Sequence, residues 1–598
     1  MLIRLFLAFF LTLILTNCSE PETSQPLVGQ TEMKQAESAQ AETADSADII
    51  LHNARVYTLN WPDPDVNGKP HPEAPFVDGQ WQPDATVVAV SGGKVMAVGG
   101  EEIIATYQSE ETEVIDLKGA TLLPGFIDSH THLLELGKLL HVVDLTNVES
   151  PEQAIVRIKD FAVNIPEGEW IIGRGWDGGA WANQYPDKAM LDAVFPNNPV
   201  YLQSLHGFAV WANSLALVKA DIDKDSEPPV GGEIRRDDSG EPTGIMLNRA
   251  TTLFAEVLPK PDQNTYALWL HDAMKQLNKD GFVGAHEAGV DRLMLRALEQ
   301  LQQEQRLAVR TYAMISARDG DIVKERLMTG PTADPAGFLD IVSVKAYYDG
   351  ALGSRGARLL EDYTDMEGHR GLSGANYGFN QDRVDALIDA GFQIGIHAIG
   401  DAGNRETLAY FAKHMKNDPN VRDRRHRVEH AQVVHPDDFA MFNQLGLIAS
   451  MEPPHAVEDM KWAEARLGPE RVKGAYAWRT FRQNNVPIAF NSDLPGSSYS
   501  IFYGLHAAVT RRNLAEQPMG GWYPEQSVSI EEAIRGYTIW SAYAGFREQD
   551  TGTISVGKWA DLTVLDIDPF ILGTTEPEAI LAGKVLLTMV NGEIVYRR

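Results

Sequence analysis

Two histidines, His130 and His132, lie one residue apart at the end of the apolar stretch LLPGFIDSHTHL. Because successive side chains of a β-strand point to opposite faces, these two imidazoles would lie on the same face. Both could then bind a single metal ion, with nitrogen–metal distances of about 2.0 to 2.1 Å. A His-x-His pair alone is weak evidence for a metal site, so the prediction depends on further donors elsewhere in the chain.

Three further donors end other apolar stretches: His397 in IGIHAIGD, His430 in RHRVEHAQ and Asp493 in AFNSDLP. A single buried histidine is as often a packing residue as a ligand. Four histidines and one carboxylate at the ends of separate stretches are difficult to explain by packing. We therefore predict a metal centre at which these five residues meet.

Lys345 lies inside the apolar stretch IVSVKAYYDG, where its side chain would face a dry interior. A buried ammonium without a partner costs several kcal/mol, so its charge must be compensated or removed. One interpretation is an ion pair with a nearby acid such as Asp349. The other is reaction of the neutral amine with carbon dioxide to give a carbamate that bridges two metal ions, and burial favours that neutral amine.

The elements that must position these residues are apolar candidate strands separated by amphipathic helical segments such as QDRVDALIDA. This alternation predicts a parallel sheet, and eight such units predict an α/β fold of the (β/α)8 TIM-barrel type. The active site of such a barrel lies at the carboxyl ends of the strands, where the candidate ligands fall. The predicted strands are 121–132, 281–289, 307–315, 341–350, 392–401, 426–434, 446–453 and 486–493.

We assign residues 121–545 to the barrel, with an insertion at about 147–273, because the interval between the first two strands is too long for one connection. We expect the insertion to fold over the mouth of the barrel. Short β-type stretches occupy residues 48–120 and 546–598. Neither end has enough strands for a stable sheet by itself, so we predict that both combine into one composite β-sandwich.

The N-terminus carries Arg4, an apolar run over residues 5–15 and then the chain's one cysteine, Cys18, in LTNC. Residues 1–18 resemble the signal peptide of a bacterial lipoprotein, and the polar residues 19–47 predict a disordered tether. We expect a lipoprotein of the cell envelope, at the outer membrane or facing the periplasm, that meets the membrane only through a lipid anchor at Cys18. A lone cysteine excludes an intrachain disulfide.

The formal net charge of −31 at pH 7 would repel a phosphate backbone, so nucleic acid is not an expected partner. A hydrophobic fraction of 44% excludes both a polytopic membrane protein and a mostly disordered chain. We expect a small-molecule substrate, and a homodimer is left open as the assembly.

Six motifs occur in order along the chain: LLPGFIDSHTHL, VKAYYDGALGSRGA, IHAIGDAGNR, HRVEHAQ, AFNSDLP and GTISVGKWADLTVLD. Together they resemble the amidohydrolase superfamily, specifically its family 3 branch, which includes N-substituted formamide deformylases. The resemblance covers the chain from residue 48 to the C-terminus. It implies a metal-dependent hydrolase with one or two divalent ions, zinc first among them.

Matched to these motifs, the resemblance also implies a set of ligands. They are His130, His132 and Asp493 for the first ion, His397 and His430 for the second, and carbamylated Lys345 as a bridge. Metal ions lower the pKa of bound water toward about 7, which supplies a nucleophile for a carbonyl carbon. Asp493 is then the expected catalytic residue that carries a proton from this water to the leaving nitrogen.

Other polar residues have less certain assignments. His455 in SMEPPHA is a second candidate catalytic residue, as a contact for the substrate carbonyl or its oxyanion, although a supporting or structural role is equally open. Relatives commonly have glutamine where this chain has Glu452, which puts an anion near the pocket. The roles of His206 and His286 are left open.

The function we expect is hydrolysis of a carbon–nitrogen bond in a non-peptide amide. The same scaffold could instead catalyse ester or carbamate hydrolysis, or a metal-assisted isomerisation or dehydration, since these reactions need the same ions. A non-catalytic binding protein of the envelope is a third alternative. The complete ligand set counts against it, because a degenerate site would have lost ligands.

Overall fold

The computed structural model describes residues 46–178, 181, 185–416 and 420–598. The predicted signal peptide with Cys18, and the predicted tether up to residue 45, lie outside these residues. Ala47, at the end of the predicted tether, is buried, and its amide donates to the carbonyl oxygen of Tyr107 at 2.8 Å. The ordered part of the chain therefore includes it. No helix in the described residues is long and apolar enough to span a bilayer.

Eight parallel strands form one sheet that curls into a nearly closed barrel, and each strand pairs with the next along the chain. The first and last strands are the two edges of this sheet. Just beyond their ends, the amide of His132 donates to the carbonyl oxygen of Leu494 at 3.0 Å. This architecture fits the predicted TIM barrel. Barrel strands 1 to 8 are Phe126–Thr131, Phe282–Val290, Arg310–Ser316, Leu339–Tyr347, Gln393–Ala398, Arg427–His430, Ile448–Met451 and Ile488–Phe490.

Helices connect the barrel strands and bury one apolar side, as Leu295, Leu298 and Leu301 of one helix do. Aspartate side chains begin three of them, since Asp262, Asp291 and Asp319 accept hydrogen bonds from amides of the first turn. The connecting helices are Leu133–Leu140, Gln263–Lys279, Arg292–Gln303, Gly320–Thr329, Gln381–Asp389, Asp401–Met415, Phe439–Gln444, Pro453–Arg471 and Trp478–Gln483. Ile501–Thr510, Ile530–Gly536 and Ile539–Ala544 follow the last strand.

The prediction of one continuous first strand is wrong, because Gly125 divides it into two. Thr121–Pro124 pairs with Leu562–Leu565 outside the barrel, and Phe126–Thr131 pairs inside it. A Cβ at Gly125 would overlap the side chain of Val283 on barrel strand 2. The chain passes from one sheet to the other at this residue because glycine permits that close approach.

The two ends of the chain meet in a five-stranded sheet. In spatial order its strands are Arg55–Val56, Thr121–Pro124, Leu562–Leu565, Val585–Val590 and Glu593–Arg597. A second sheet contains Lys94–Gly99, Val87–Ser91, Ile49–His52 and Glu113–Asp116, in that order. One buried apolar cluster includes Leu51 and Val88 of the second sheet together with Leu562 and Met589 of the first. This cluster accords with two packed layers, and the composite β-sandwich itself stays a prediction.

The predicted insertion supplies five strands of a six-stranded sheet, and the sixth, Val143–Asp144, lies just before its predicted start. In spatial order the strands are Val143–Asp144, Ile171–Trp176, Val200–Ser204, Ala209–Ala212, Pro242–Asn248 and Gly232–Arg236. The helices of the insertion are Pro151–Ala162, Lys188–Asp192 and Ser214–Lys219. Trp176 is fully buried and stacks on Trp181, with ring centroids 5.4 Å apart, so the aromatic cluster of this segment is ordinary core. His206 is exposed in the turn after the third strand.

A buried ion pair ties the barrel to the C-terminal strands. The guanidinium of Arg310, at the start of barrel strand 3, donates to both carboxylate oxygens of Asp561, with Nε–Oδ2 at 2.7 Å and Nη2–Oδ1 at 3.1 Å. The Trp559 ring covers this guanidinium, with a distance of 3.7 Å from Cζ to the ring centroid. Because Asp561 is fully buried, its charge depends on this contact for compensation.

We predict that Asp561→Ala lowers the free energy of unfolding by about 3–5 kcal/mol, since removing one partner of a buried pair leaves the other charge uncompensated. Thermal and denaturant unfolding measure this change. Glu256→Ala is the matched control, because it removes the exposed partner of Lys260. An Asp561→Ala protein as stable as the control would show that the barrel does not need this contact.

Candidate metal centre

A cleft of about 370 Å³ opens at the carboxyl ends of the barrel strands. Five of the six predicted ligands line it, and the sixth, His130, lies fully buried at its side. The lining ligands are His132, Lys345, His397, His430 and Asp493, and the candidate catalytic residue His455 joins them. The structure thus brings together residues from six different strand ends.

The first group of donors is His130, His132 and Asp493. Asp493 Oδ1 lies 3.1 Å from His132 Nε2 and 3.6 Å from His130 Nε2. The amide of Asp493 also donates to the carbonyl oxygen of His130 at 3.1 Å, which holds the last strand end beside the first. The three residues can therefore bind one ion, as the motifs imply.

The second group of donors is His430, His455 and Asp493, whose ligand atoms all lie within 4.8 Å of one another. The predicted partner His397 packs against His430, with ring centroids 4.5 Å apart, but it does not belong to this group. Asp493 is shared by both groups. A second ion at this end of the cleft has His430, His455 and Asp493 within reach, and its assignment to His397 stays a prediction.

Several buried donor atoms of the centre lack an aligned hydrogen-bond partner among the described residues: Asp493 Oδ1, His397 Nε2 and His430 Nδ1. Leaving such an atom unsatisfied costs about 1–3 kcal/mol. A divalent cation bound by these atoms would remove that cost. The donor set therefore fits the metal centre that the motifs imply.

The ionisation states also suit a cation. Burial and the charge of Lys345 lower the pKa of His130 to about 4, and burial with the neighbouring His430 lowers that of His397 well below its usual value. Both imidazoles are neutral at pH 7, which is the form that binds metals. Burial opposes ionisation of Asp493, yet the contact with His132 and the surrounding histidines hold its pKa well below the usual range.

Glu429 is a functional candidate that sequence reasoning missed. Its Oε2 accepts from His130 Nδ1 at 2.6 Å and from Arg427 Nη2 at 3.0 Å, with all three side chains fully buried. This contact leaves the Nε2 lone pair of His130 for a metal. Strict alternation would place Glu429 and His430 on opposite faces, but His430 has φ 72°, which turns both side chains toward the centre.

Lys345 is buried, with a side chain 1% exposed, and its Nζ lies 2.8 Å from His130 Nε2. The predicted alternative of an ion pair with Asp349 is wrong, because no carboxylate oxygen of the described residues lies within ion-pair distance of this amine. Asp349 instead accepts from the amides of Arg358, Ile399 and Gly400. Burial lowers the pKa of Lys345 to about 8.

Glu452 lies beneath the second group of donors. Its Oε1 is 3.2 Å from His430 Nδ1, and its Oε2 is 3.5 Å from His455 Nδ1. Although burial opposes protonation, this carboxylate raises the pKa of His455 to about 9. Glu452 is buried and does not line the cleft, so its charge acts on the two imidazoles and not directly on a substrate.

His286 and Glu287, at the end of barrel strand 2, support the ligands from outside the cleft. His286 Nδ1 accepts from Arg427 Nη1 at 2.9 Å. Glu287 Oε2 accepts from the amide of Leu133 at 2.6 Å and from Thr131 Oγ1 at 3.0 Å, which fixes the turn that carries His132. Neither residue lines the cleft.

Comparisons with known proteins agree with this architecture. A model of the amidohydrolase family matches residues 113–596. The chain is 29% identical over 523 residues to YtcJ of Bacillus subtilis, covering 86% of this chain and 96% of that protein. It is 29% identical over 541 residues to an N-substituted formamide deformylase of Arthrobacter pascens, covering 86% of this chain and 95% of the relative.

A solved structure shares the fold. It is a metal-dependent hydrolase from Pyrococcus horikoshii, with a TM-score of 0.67 and 25% sequence identity, over 88% of this chain and 99% of that one. The family model spans most of the sequence, and the barrel carries the motif residues at its strand ends. The chain therefore belongs to the amidohydrolase family, in its family 3 branch, as its motifs predict.

Proposed function

We propose that this chain is a metal-dependent hydrolase that cleaves the carbon–nitrogen bond of a small non-peptide amide. The observation that carries the proposal is the meeting of two donor groups at one carboxylate, Asp493, in the wall of an open cleft. Family membership and the formamide deformylase among the relatives support amide-type substrates. A screen of the zinc-loaded protein against N-butylformamide and the matched ester butyl formate tests the bond type, with each rate divided by that of the uncatalysed reaction. A larger rate enhancement for the ester than for the formamide would contradict the proposal.

We assign His130, His132 and Asp493 to a first divalent ion, with zinc as the first choice. Glu452 raises the pKa of His455 against the effect of burial, which suits this imidazole to donate a hydrogen bond. His430 and His397 would hold the second ion, and a carbamate on Lys345 would supply a further oxygen ligand, as the family motifs imply. Bound divalent ions would supply a Lewis acid and a water that is deprotonated near neutral pH.

The side chains around the ions would move the protons. Asp493 takes a proton from the attacking water as the water oxygen adds to the carbonyl carbon. Asp493 then delivers this proton to the nitrogen, and the carbon–nitrogen bond of the tetrahedral adduct breaks to release the amine and the acid. His455 Nε2, which lies 3.9 Å from Asp493 Oδ2, donates a hydrogen bond to the substrate's carbonyl oxygen as negative charge develops on it.

We predict that Asp493→Asn lowers kcat by at least about 1000-fold, because the amide side chain cannot accept the transferred proton. Steady-state kinetics on a substrate from the screen measure the loss, and circular dichroism with zinc analysis verifies that the variant is folded and loaded. Near-normal turnover by a loaded Asp493→Asn protein would reject the proton-transfer role.

We predict that carbamylation of Lys345 in metal-free protein becomes faster with pH. Only the neutral amine adds to carbon dioxide, and with a pKa of about 8 its fraction rises roughly 25-fold between about pH 6.5 and about pH 8.5. The measurement is the growth of a carbamate signal in ¹³C NMR at constant dissolved ¹³CO₂. Lys558→Arg is the control, and a signal that survives in Lys345→Arg would assign the carbamate to another residue.

We predict that Glu429→Gln weakens zinc binding by about 10–100-fold, because the contact that orients His130 loses its charge. Competition with a chromophoric chelator measures the affinity. Glu464→Gln makes the same charge change at an exposed site and should bind zinc like the wild type. Equal affinities of Glu429→Gln and the control would contradict the role of Glu429.

A further inference from the structure

One face of the Pro453–Arg471 helix is turned toward the cleft. Glu458, Asp459 and Trp462 follow His455 by three, four and seven residues, which are helical spacings, and all four side chains line the cleft. His455 lies at the metal centre. The other three residues therefore form the wall of the cleft beyond it, which we call the distal wall.

The distal wall is negatively charged. Glu458 Oε2 accepts from Ser497 Oγ at 2.7 Å, and Asp459 Oδ2 accepts from the hydroxyl of Tyr476 at 2.7 Å. Both donors are neutral, and neither carboxylate forms an ion pair within the part of the chain that the structure describes. Each carboxylate keeps one oxygen for a further partner.

Among the residues that the structure describes, no arginine lines the cleft, and the one lysine in its lining is Lys345 at the metal centre. Arg466 lies near the Trp462 ring, at 5.8 Å from the centroid, but it forms an ion pair with Asp365 and donates to the carbonyl oxygen of Gly353. Among the described residues, the cations that line the cleft are therefore those of the metal centre, Lys345 and His455, and none lies farther out beside the distal wall.

The aromatic ring adds a second kind of contact for a cation. Trp462 lines the same wall one turn beyond Glu458, and a Cβ at Gly353 would lie 3.0 Å from its ring, so the loop that follows barrel strand 4 approaches it closely. A tryptophan face attracts organic cations, and its apolar surface suits the methylene groups that carry them. Carboxylates beside an indole ring match an alkylammonium group better than a hydrated metal ion.

We propose that the distal wall binds a positively charged ammonium group of the substrate, so that the preferred substrates are N-formyl or N-acyl amines with a second, free amino group. This inference rests on the proposed function for the position of the scissile bond. Water adds to the acyl carbon, the carbon–nitrogen bond breaks, and the leaving nitrogen takes a proton. The products are a carboxylic acid and a diamine.

The test compares three formamides with the same four-carbon spacer and a different end group. N-formyl-1,4-diaminobutane ends in an ammonium, N-pentylformamide in a methyl and 5-formamidopentanoate in a carboxylate. For the zinc-loaded wild type we expect kcat/KM to be at least about tenfold higher for the ammonium than for the methyl compound, and lowest for the carboxylate. Equal values for the first two, or preference for the carboxylate, would overturn the inference.

Variants of the distal wall test whether its carboxylates cause the preference for the ammonium compound. Glu458→Gln and Asp459→Asn are each expected to reduce the ammonium-to-methyl ratio by at least about fivefold, since each removes one charge at nearly constant shape. Glu464→Gln, on the same helix but exposed and outside the cleft, should keep the wild-type ratio. Both carboxylates are partly exposed, and Glu458→Gln keeps the test valid if Asp459→Asn fails to fold. An unchanged ratio in Glu458→Gln and in any folded Asp459→Asn would overturn the inference.

Calorimetry separates this inference from the proposed function. The zinc-loaded protein is titrated with 1,4-diaminobutane, which needs no hydrolysis to bind. Binding that weakens at least about fivefold in Glu458→Gln, and not in Glu464→Gln, supports the ammonium site even if no formamide is cleaved. Glu458→Gln and Glu464→Gln could instead agree in both the kcat/KM ratio and the calorimetric affinity while formamides are still cleaved. That result would keep the proposed function and reject the ammonium site.

Discussion

The metal centre depends on a buried carboxylate, Glu429, that contacts a guanidinium on one side and an imidazole on the other. Two charges in a dry barrel are costly unless each has a partner and further hydrogen bonds. Arg427 meets that need, because it also donates to the carbonyl oxygen of Ser129 and to the hydroxyl of Ser450. The same contacts join barrel strands 1, 6 and 7, so the network that orients His130 also sets the distance between the strands that carry the ligands.

Backbone geometry at the strand ends also directs the ligand side chains toward the metal centre. His430 and Asp493 both have positive φ, 72° and 52°, which non-glycine residues rarely adopt. Such conformations cost of order 1–3 kcal/mol each and persist only where the surroundings impose them. At Asp493 the amide's hydrogen bond to His130 provides that constraint, and the result is a carboxylate directed at two groups of histidines. Metal binding would recover part of the cost.

Much of the barrel was predictable because buried parallel strands have short apolar sequences with ligands at their ends. The exceptions have local causes. The division of the first strand at Gly125 was not predicted, because the sequence alone does not show that Val283 approaches this glycine. Glu429 was missed because alternation fails where φ changes sign. The predicted ion pair between Lys345 and Asp349 does not form, since three amides already occupy the Asp349 carboxylate.

The sheet that joins both ends of the chain has a consequence for biosynthesis. Thr121–Pro124 runs directly into the strand that carries His130, yet its neighbour in the sheet, Leu562–Leu565, is synthesised more than four hundred residues later. Contacts of such large sequence separation form slowly, and during translation they must wait for the end of the chain. The first ligand to leave the ribosome is thus among the last to be held in place, so metal loading belongs to the completed polypeptide and not to the nascent one.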